Sequence, residues 1–347
     1  MKFYTQSHSY FCGIDLHARC LYVCILDASG EPCVHKKISA SPDALLKLIA
    51  PYREDIVIGV ECMFSWYWVA DFCEDQHIPF ILGHALYMRA IHGGKAKNDK
   101  IDSLKIALLM RGGMFPLAYV YPRELRGTRD LMRRRIHMMR KRAELLGHVH
   151  NTVSQYNLPP ISKNLRYAFN RVGVADRFAD TSVQKSIAFD LALIDFYDKQ
   201  LSKIEWHIKQ QARAFDQHAL VLLRSVPGIG LILSLVILCE IHDIARFPRV
   251  QDFASYARLV KCKRESAGKT YGTSGGKIGN AYLKWAFSEA AVLFLRGNPE
   301  AQAWLEKKAN QHNKAKALTI LAHKLGRAVY FMLKRKVIFD QERFLAG

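Results

Sequence analysis

The chain of 347 residues predicts an α/β domain at its N-terminus followed by all-helical segments. Two observations carry that prediction. Over the first third, short apolar runs of strand length alternate with helix-length segments, whereas from Arg123 the apolar residues recur at helical spacing. Acids also interrupt the apolar runs where strands should end, at Asp15 and Glu61. Ordinary core strands avoid this, because an ionised carboxylate is costly to bury.

The elements follow in order. Phe11-Cys12-Gly13-Ile14-Asp15-Leu16 reads as the first strand, and Leu21 to Asp27 as the second. A Ser29-Gly30 turn leads to a third at Cys33 to Ile38, and links this short make the three antiparallel. Pro42 to Ile49 reads as a helix, Ile56 to Glu61 as the fourth strand, Ser65 to Glu74 as a helix and Pro79 to Leu82 as the fifth strand. Asp99 and Asp102 stand three apart and share one face of a helix. Tyr121-Pro122 closes this first domain, residues 9–122. The order, with acids on strands one and four, resembles a ribonuclease H-like fold of the RuvC-like kind. The same fold serves actin-like sugar kinases, where Gly13-Ile14-Asp15 would meet ATP phosphates, so fold alone does not choose the chemistry.

Residues 123–215 predict two long helices. Leu125, Leu131, Ile136, Met139 and Leu145-Leu146 mark the first, and Ile187, Leu191, Ile194, Leu201, Ile204 and Ile208 the second. Joined through 157–181, they read as an antiparallel hairpin or coiled coil. Its seam is buried either within the chain or against another copy. Residues 216–347 predict a mostly helical domain. There, Leu222 to Gly230 runs through Val226-Pro227-Gly228-Ile229-Gly230 into an apolar helix from Leu231. That is a helix-hairpin-helix signature, in which Gly228 and Gly230 let a phosphate approach free N–H groups; an ordinary tight turn is the alternative. A helix at Val250 to Leu259 precedes a basic, glycine-rich stretch, Lys261 to Asn280, expected to be polar and flexible. Helices at Ala281 to Leu295 and Ala315 to Leu333 complete the domain.

Net charge is +20 and unevenly placed: residues 121–150 hold nine Lys or Arg against three acids, and residues 261–347 seventeen against six. Such an excess points to a polyanion, most simply nucleic acid, and a sugar kinase has no use for it. Arg133, Arg134 and Arg135 are the candidate phosphate contacts of the first basic region. The cysteines at 12, 20, 24, 33, 62, 73, 239 and 262 form no CxxC pair, which predicts buried thiols in a reducing compartment rather than zinc ligands or disulfides. Met1 to His8 has no signal-peptide core, and the longest apolar stretch, Leu231 to Cys239, is too short for a bilayer. The expectation is a cytoplasmic protein without a membrane partner.

Acids at the ends of buried strands need compensation, and a hard divalent cation bound by carboxylate oxygens supplies it. Asp15 and Glu61 on strands, with Asp99 and Asp102 on one helix face, are what a two-metal phosphodiester site requires. Each acid taken singly also reads as a turn or cap residue.

Five pieces occur in register along nearly the whole chain: Gly13-Ile14-Asp15 with Val60-Glu61 and Asp99-Lys100-Ile101-Asp102; Val226-Pro227-Gly228-Ile229-Gly230; Phe253-Ala254-Ser255-Tyr256-Ala257 with Leu259-Val260; Glu265-Ser266-Ala267-Gly268; and Lys277-Ile278-Gly279-Asn280-Ala281-Tyr282-Leu283. In these the sequence resembles the transposases of the insertion-sequence 110 family, which includes the Piv-type DNA invertases. The resemblance implies a DEDD tetrad of Asp15, Glu61, Asp99 and Asp102 that holds Mg²⁺, with Mn²⁺ as a substitute. It implies that Ser266 attacks a DNA phosphate to form a covalent 5′-phosphoserine link, with Arg264 and Lys269 placed to steady the phosphate's charge. Donor and target DNA, a guide ("bridge") RNA that pairs with both, a dimer or tetramer, and a bacterial or archaeal, nucleoid-associated setting follow as implications. One departure stands out. Many members carry Glu-Ala-Thr-Gly after the second acidic strand, and this chain has Glu61-Cys62-Met63-Phe64-Ser65-Trp66-Tyr67. The acid is kept and the local contacts to nucleic acid change.

Three rivals compete with a recombinase. A RuvC-like nuclease using water explains the acids but not a C-terminal domain with Ser266. A non-catalytic nucleic-acid binder leaves the acids unused. An actin-like ATPase lacks a second glycine-rich phosphate loop.

Overall fold

The computed structural model describes residues 2–92, 98–212, 215–274 and 278–346. The chain divides into two compact units, Met1–Glu124 and Leu125–Gly347.

The first unit contains β1 (Phe3–Tyr4), β2 (Tyr10–Leu16), β3 (Cys20–Asp27), β4 (Pro32–Ser39), α1 (Pro42–Ile49), β5 (Ile56–Glu61), α2 (Tyr67–Asp75), β6 (Phe80–Gly83), α3 (Ala85–His92), α4 (Asp99–Arg111) and β7 (Phe115–Pro116). Its main sheet has the order β4-β3-β2-β5-β6. Tight links make β2, β3 and β4 antiparallel, while β5 lies parallel to β2 and β6 parallel to β5. Parallel neighbours need a crossover, and α1 and α2 are the helices of those crossovers. Helix α1 starts where the sequence says it should: Ser41 Oγ accepts from the Ala44 amide at 3.3 Å, and Pro42 occupies the first turn.

Strand periodicity sorts the sheet's two faces. Cys12, Ile14 and Leu16 of β2 join Ile56, Ile58 and Val60 of β5 in a core with α1 and α2 residues such as Leu45, Ile49 and Val69. The alternate residues Phe11 and Val57 pack on the opposite face with Ile106, Leu109 and Met110 of α4. By the same alternation Gly13, Asp15, Gly59 and Glu61 belong to the α4 face.

The second unit holds α5 (Arg123–Gln155), whose first two residues belong to the first unit, then α6 (Thr181–Gln211), α7 (Gln217–Arg224), α8 (Leu231–Ile241) and α9 (Val250–Tyr256). These are followed by β8 (Cys262–Ser266), β9 (Lys269–Ser274), α10 (Ala281–Phe294), α11 (Pro299–Gln311), α12 (Lys314–Arg335) and α13 (Gln341–Ala346). Helices α5 and α6 run antiparallel, because Arg135 pairs with Glu205, Arg142 with Asp198 and His148 with Asp190. At the far end of this hairpin Val149 and Val153 pack with Ile187, Leu191 and Ile194 and with Leu165, Val174 and Phe178 of the connection. The seam at that end is therefore buried by the chain itself. Helix α8 is apolar except for Ser234 and Glu240 and sits inside the larger core with Phe253, Phe287, Phe294 and Tyr330.

One expectation needs correction here. The Lys261 to Asn280 stretch is not irregular throughout: β8 and β9 form an antiparallel hairpin. Ala267 and Gly268 both have positive φ, 47° and 73°, which is what a two-residue turn between right-twisted strands demands. Among the residues singled out there, Lys277 lies outside the described residues, as do the side chains of Arg264 and Ser274. Gly228 is tightly packed: its φ is +83°, and a Cβ there would stand 2.6 Å from the backbone of Leu293 and Phe294 of α10. Gly230, at the start of α8, has open space around it.

Candidate functional site

In the first unit the site is built by strand register and by one close helix–sheet approach. The last paired residues of β2 and β5 are Ile14 and Val60, so Asp15 and Glu61 each stand one residue further along adjacent strands, about 4.8 Å apart in a sheet. Gly13 and Gly59 are paired beneath α4. A Cβ on Gly13 would lie 2.3 Å from Ser103 O, and one on Gly59 would lie 2.3 Å from Met110 Sδ. Two missing side chains thus let α4 lie directly on the sheet, with its N-terminal turn toward Asp15. Asn98 caps that turn by accepting from the Lys100 amide at 3.0 Å. His35 on β4 reaches Lys100 O at 2.8 Å, tying the same turn to the far side of the sheet.

The result is a compact donor group. His17 Nε2 lies 3.3 Å from Asp15 Oδ2 and 3.3 Å from Asp99 Oδ2. One donor atom from each of the three residues falls within 4.8 Å of the other two. His17 Nε2 is shut off from solvent and has no hydrogen-bond partner of good geometry. Burial pushes the Asp15 carboxyl above the ordinary carboxylate range, His17 pulls it down, and Asp99 and Asp102 push it up again. The structure thus joins Asp15 and Asp99 directly. Asp102 lies one helical turn on and meets Lys105 Nζ at 3.5 Å, while acting electrostatically on Asp15. Glu61 is brought alongside by register.

His17 is the residue the sequence reading passed over. Its signal was present: it stands two residues after Asp15, just past the end of β2.

An imidazole nitrogen shut off from solvent between two carboxylates, 3.3 Å from each, fits a divalent cation. Carboxylate oxygens suit Mg²⁺ and Mn²⁺, and an imidazole is compatible with the softer of the two.

In the second unit Ser266 is the last residue of β8 before the turn and is paired in register with Lys269 of β9. Both are exposed, as is Tyr271. The segment is clamped where it rejoins the core. Gly279, at φ +95°, packs on the carbonyls of Ser255 and Tyr256. Arg258 Nε donates to Gly279 O at 2.9 Å, and the Asn280 amide donates to Tyr256 O at 2.6 Å. Asn280 Oδ1 caps α10 by accepting from Tyr282 N and Leu283 N.

Part of the basic helix α5 is engaged within the protein. Arg133 grips Glu240 of α8 with two bonds, 2.6 and 2.9 Å, and lies over the Tyr282 ring. Arg129 and Asn280 Nδ2 bind the same carboxylate at 3.1 and 2.7 Å. Glu240 is 2% exposed and needs this company. Burial pushes its carboxyl up, but Arg133, Arg129 and Asn280 outweigh that and hold it below its ordinary value. Arg135 is bound to Glu205 at 2.5 Å. Of the three arginines expected on phosphate, Arg133 and Arg135 are held by carboxylates of the protein, and Arg134 is exposed.

Comparison with known proteins places these features. A model of DEDD-type transposases matches residues 12–158, which contain the acid-bearing sheet and α4. A second, described as the transposase IS116/IS110/IS902 family, matches residues 220–306, which contain the serine hairpin and its clamp. The chain belongs to the IS110 family of DEDD transposases. It is 28% identical over 128 residues to the insertion element IS110 uncharacterized 43.6 kDa protein of Streptomyces coelicolor, covering 36% of this chain and 31% of that one. It is 20% identical over 336 residues to the transposase for insertion sequence element IS1111A of Coxiella burnetii, covering 93% and 89%. The insertion element IS116 uncharacterized 44.8 kDa protein of Streptomyces clavuligerus is 24% identical over 143 residues, covering 41% of this chain and 35% of that one. Among the described residues, no helix is long and apolar enough to cross a membrane.

Proposed function

We propose that this chain is the transposase of an IS110-type insertion element and that it exchanges DNA strands through a phosphoserine intermediate. The observation that carries this reading is the Asp15–His17–Asp99 donor group, set within the segment that the DEDD-type model matches. The sheet order, with three antiparallel strands followed by two parallel ones and a helix laid over the first strand, supports a RuvC-like, ribonuclease H-like domain at 9–122. The antiparallel α5–α6 pair supports a coiled-coil region at 123–215, and 216–347 then forms the strand-transfer domain.

Asp15, Asp99 and His17, with Glu61 and Asp102 beside them, would hold Mg²⁺ or Mn²⁺. When bound, such a cation lowers the charge of the phosphate and the pKa of a coordinated hydroxyl. The protein's own groups do the rest. Ser266 Oγ forms a bond to phosphorus as the P–O3′ bond breaks. Its proton passes to a carboxylate or to water, and an equivalent proton ends on the 3′-oxygen. Lys269, across the hairpin from Ser266, offsets the charge that builds on the phosphate; Arg264, two residues before it, is assigned the same duty. Because the phosphodiester's energy is kept in the serine ester, rejoining needs no nucleotide cofactor. The basic surface of α5 and of the last hundred residues serves DNA and a guide RNA, with sequence read by base pairing. Two duplexes and a composite site call for a homo-oligomer, a dimer or tetramer.

Incubation with supercoiled element DNA, guide RNA and Mg²⁺ tests the reading. DNA attached to Ser266 by peptide mapping is the expected result, and Ser266→Ala should abolish it. Free nicked product without an adduct would instead mean a water-using nuclease, and an adduct on Thr273, Ser274 or a tyrosine would reassign the nucleophile.

A further inference from the structure

The segment after Glu61 is the place where this chain departs from the common family pattern, and three observations give it a use. Phe64 is 86% exposed and Met63 is 39% exposed, so two large apolar side chains stand in water immediately beyond a site acid. The next residue, Ser65, has a buried Oγ without a hydrogen-bond partner. Ser65 and Trp68 also wall a cleft of 350 Å³ whose other sides are His17, Ala18, Ala40 and Pro42. His17 is at the same time a member of the donor group with Asp15 and Asp99. The cleft and the donor group thus share one residue, His17.

A buried hydroxyl without a partner is costly unless a ligand supplies one. The Trp68 indole in the cleft wall, and the exposed Phe64 ring one residue before Ser65 in the chain, are flat apolar surfaces of the kind on which bases stack, whatever their sequence. The small side chains of Ala18 and Ala40 leave room for a planar ring, and the volume is at the lower end of that of small-molecule sites, about 300–1,000 Å³. We propose that this cleft is a nucleotide subsite. It takes an unpaired base of the DNA strand whose phosphate lies at the acids, with Phe64 and Trp68 stacking and Ser65 hydrogen-bonding to the base edge. DNA is the occupant favoured, because the cleft shares His17 with the group that faces the reacting strand. This inference rests on the proposed role of the acids.

The test uses the full-length protein and single-stranded deoxyoligonucleotides carrying 2-aminopurine at successive positions around the cut site, in Ca²⁺ to hold back cleavage. Stacking quenches the probe. Wild-type protein should quench it at one or two adjacent positions and nowhere else. Phe64→Ala should restore most of the fluorescence there and weaken binding about tenfold, the usual worth of one stacked base. Ser65→Ala should weaken binding less and reduce discrimination among bases. Phe64 is so exposed that its loss leaves the core intact, and an unchanged melting temperature would verify this. Uniform quenching along the strand, or fluorescence and affinity unaltered in Phe64→Ala, would overturn the subsite. Effects of the variants on an oligoribonucleotide alone would transfer the cleft to RNA and overturn the DNA assignment. Asp15→Asn separates the two readings: loss of strand exchange with quenching retained upholds both. Loss of exchange with no site-specific quenching leaves the acids' role standing and the subsite refuted.

Discussion

Gly13 and Ser103 touch across the boundary between sheet and helix: a Cβ on Gly13 would stand 2.3 Å from the Ser103 carbonyl oxygen and 2.5 Å from the Ala107 amide. The contact is backbone against backbone, so neither side has a flexible end to give way. It sets how deeply α4 sits and hence where its first-turn acids lie relative to Asp15 two residues further along β2. Gly13→Ala should lift α4, cost about 1–3 kcal/mol as overpacking does, and reduce strand exchange more than the loss of stability explains. Thermal unfolding and strand-exchange rates, measured on the same preparations, check this. An Ala variant with native activity would show that α4 tolerates displacement.

Asp15 is held in a site that disfavours its charge, through burial and through Asp99 and Asp102. Without divalent cations, Asp15→Asn should therefore leave stability near neutral pH unchanged or slightly raised. With Mg²⁺ or Mn²⁺ added, the wild type should gain stability by binding and the variant should gain less. Calorimetric melting with and without the cations reads both effects. Equal stabilisation of the two proteins would remove Asp15 from the metal site.

Glu240 anchors a buried network, and its folded-state carboxyl lies below its ordinary value. A depressed carboxylate contributes stability that is complete above the ordinary Glu value of about 4.5 and is lost as pH falls through the folded value. Stability of the second unit should accordingly fall with acid in that window, and Glu240→Gln should flatten the dependence. Glu240→Ala strands Arg129 and Arg133 and should cost about 3–5 kcal/mol. Chemical unfolding across pH 3 to 7 would measure it.

Arg133, Arg134 and Arg135 are adjacent, yet they should respond differently. Arg134→Ala should weaken nucleic-acid binding and lower the salt slope by about one, as the loss of one phosphate contact does. Arg133→Ala and Arg135→Ala should chiefly lower the melting temperature, because their guanidinium groups hold Glu240 and Glu205. Salt-dependent binding isotherms together with melts distinguish the two kinds of effect.

Sequence periodicity by itself marked the five strands of the main sheet, the long helices and the four candidate acids, but not the β8–β9 hairpin. Alternation along Phe11 to Leu16 and along Ile56 to Glu61 puts Asp15 and Glu61 on one face, and spacing along α4 puts Asp99 with Asp102. Those are local, one-dimensional regularities of the backbone, so they survive without a partner. The tertiary structure decided what each polar side chain meets. His17 became a member of the site only when α4 brought Asp99 to 3.3 Å from it. Gly228 lies against Leu293 and Phe294 of α10, residues far along the chain. Arg133 found Glu240 more than a hundred residues along the chain. A buried carboxylate must recruit cations from wherever the fold supplies them, and no spacing in the sequence records that distance.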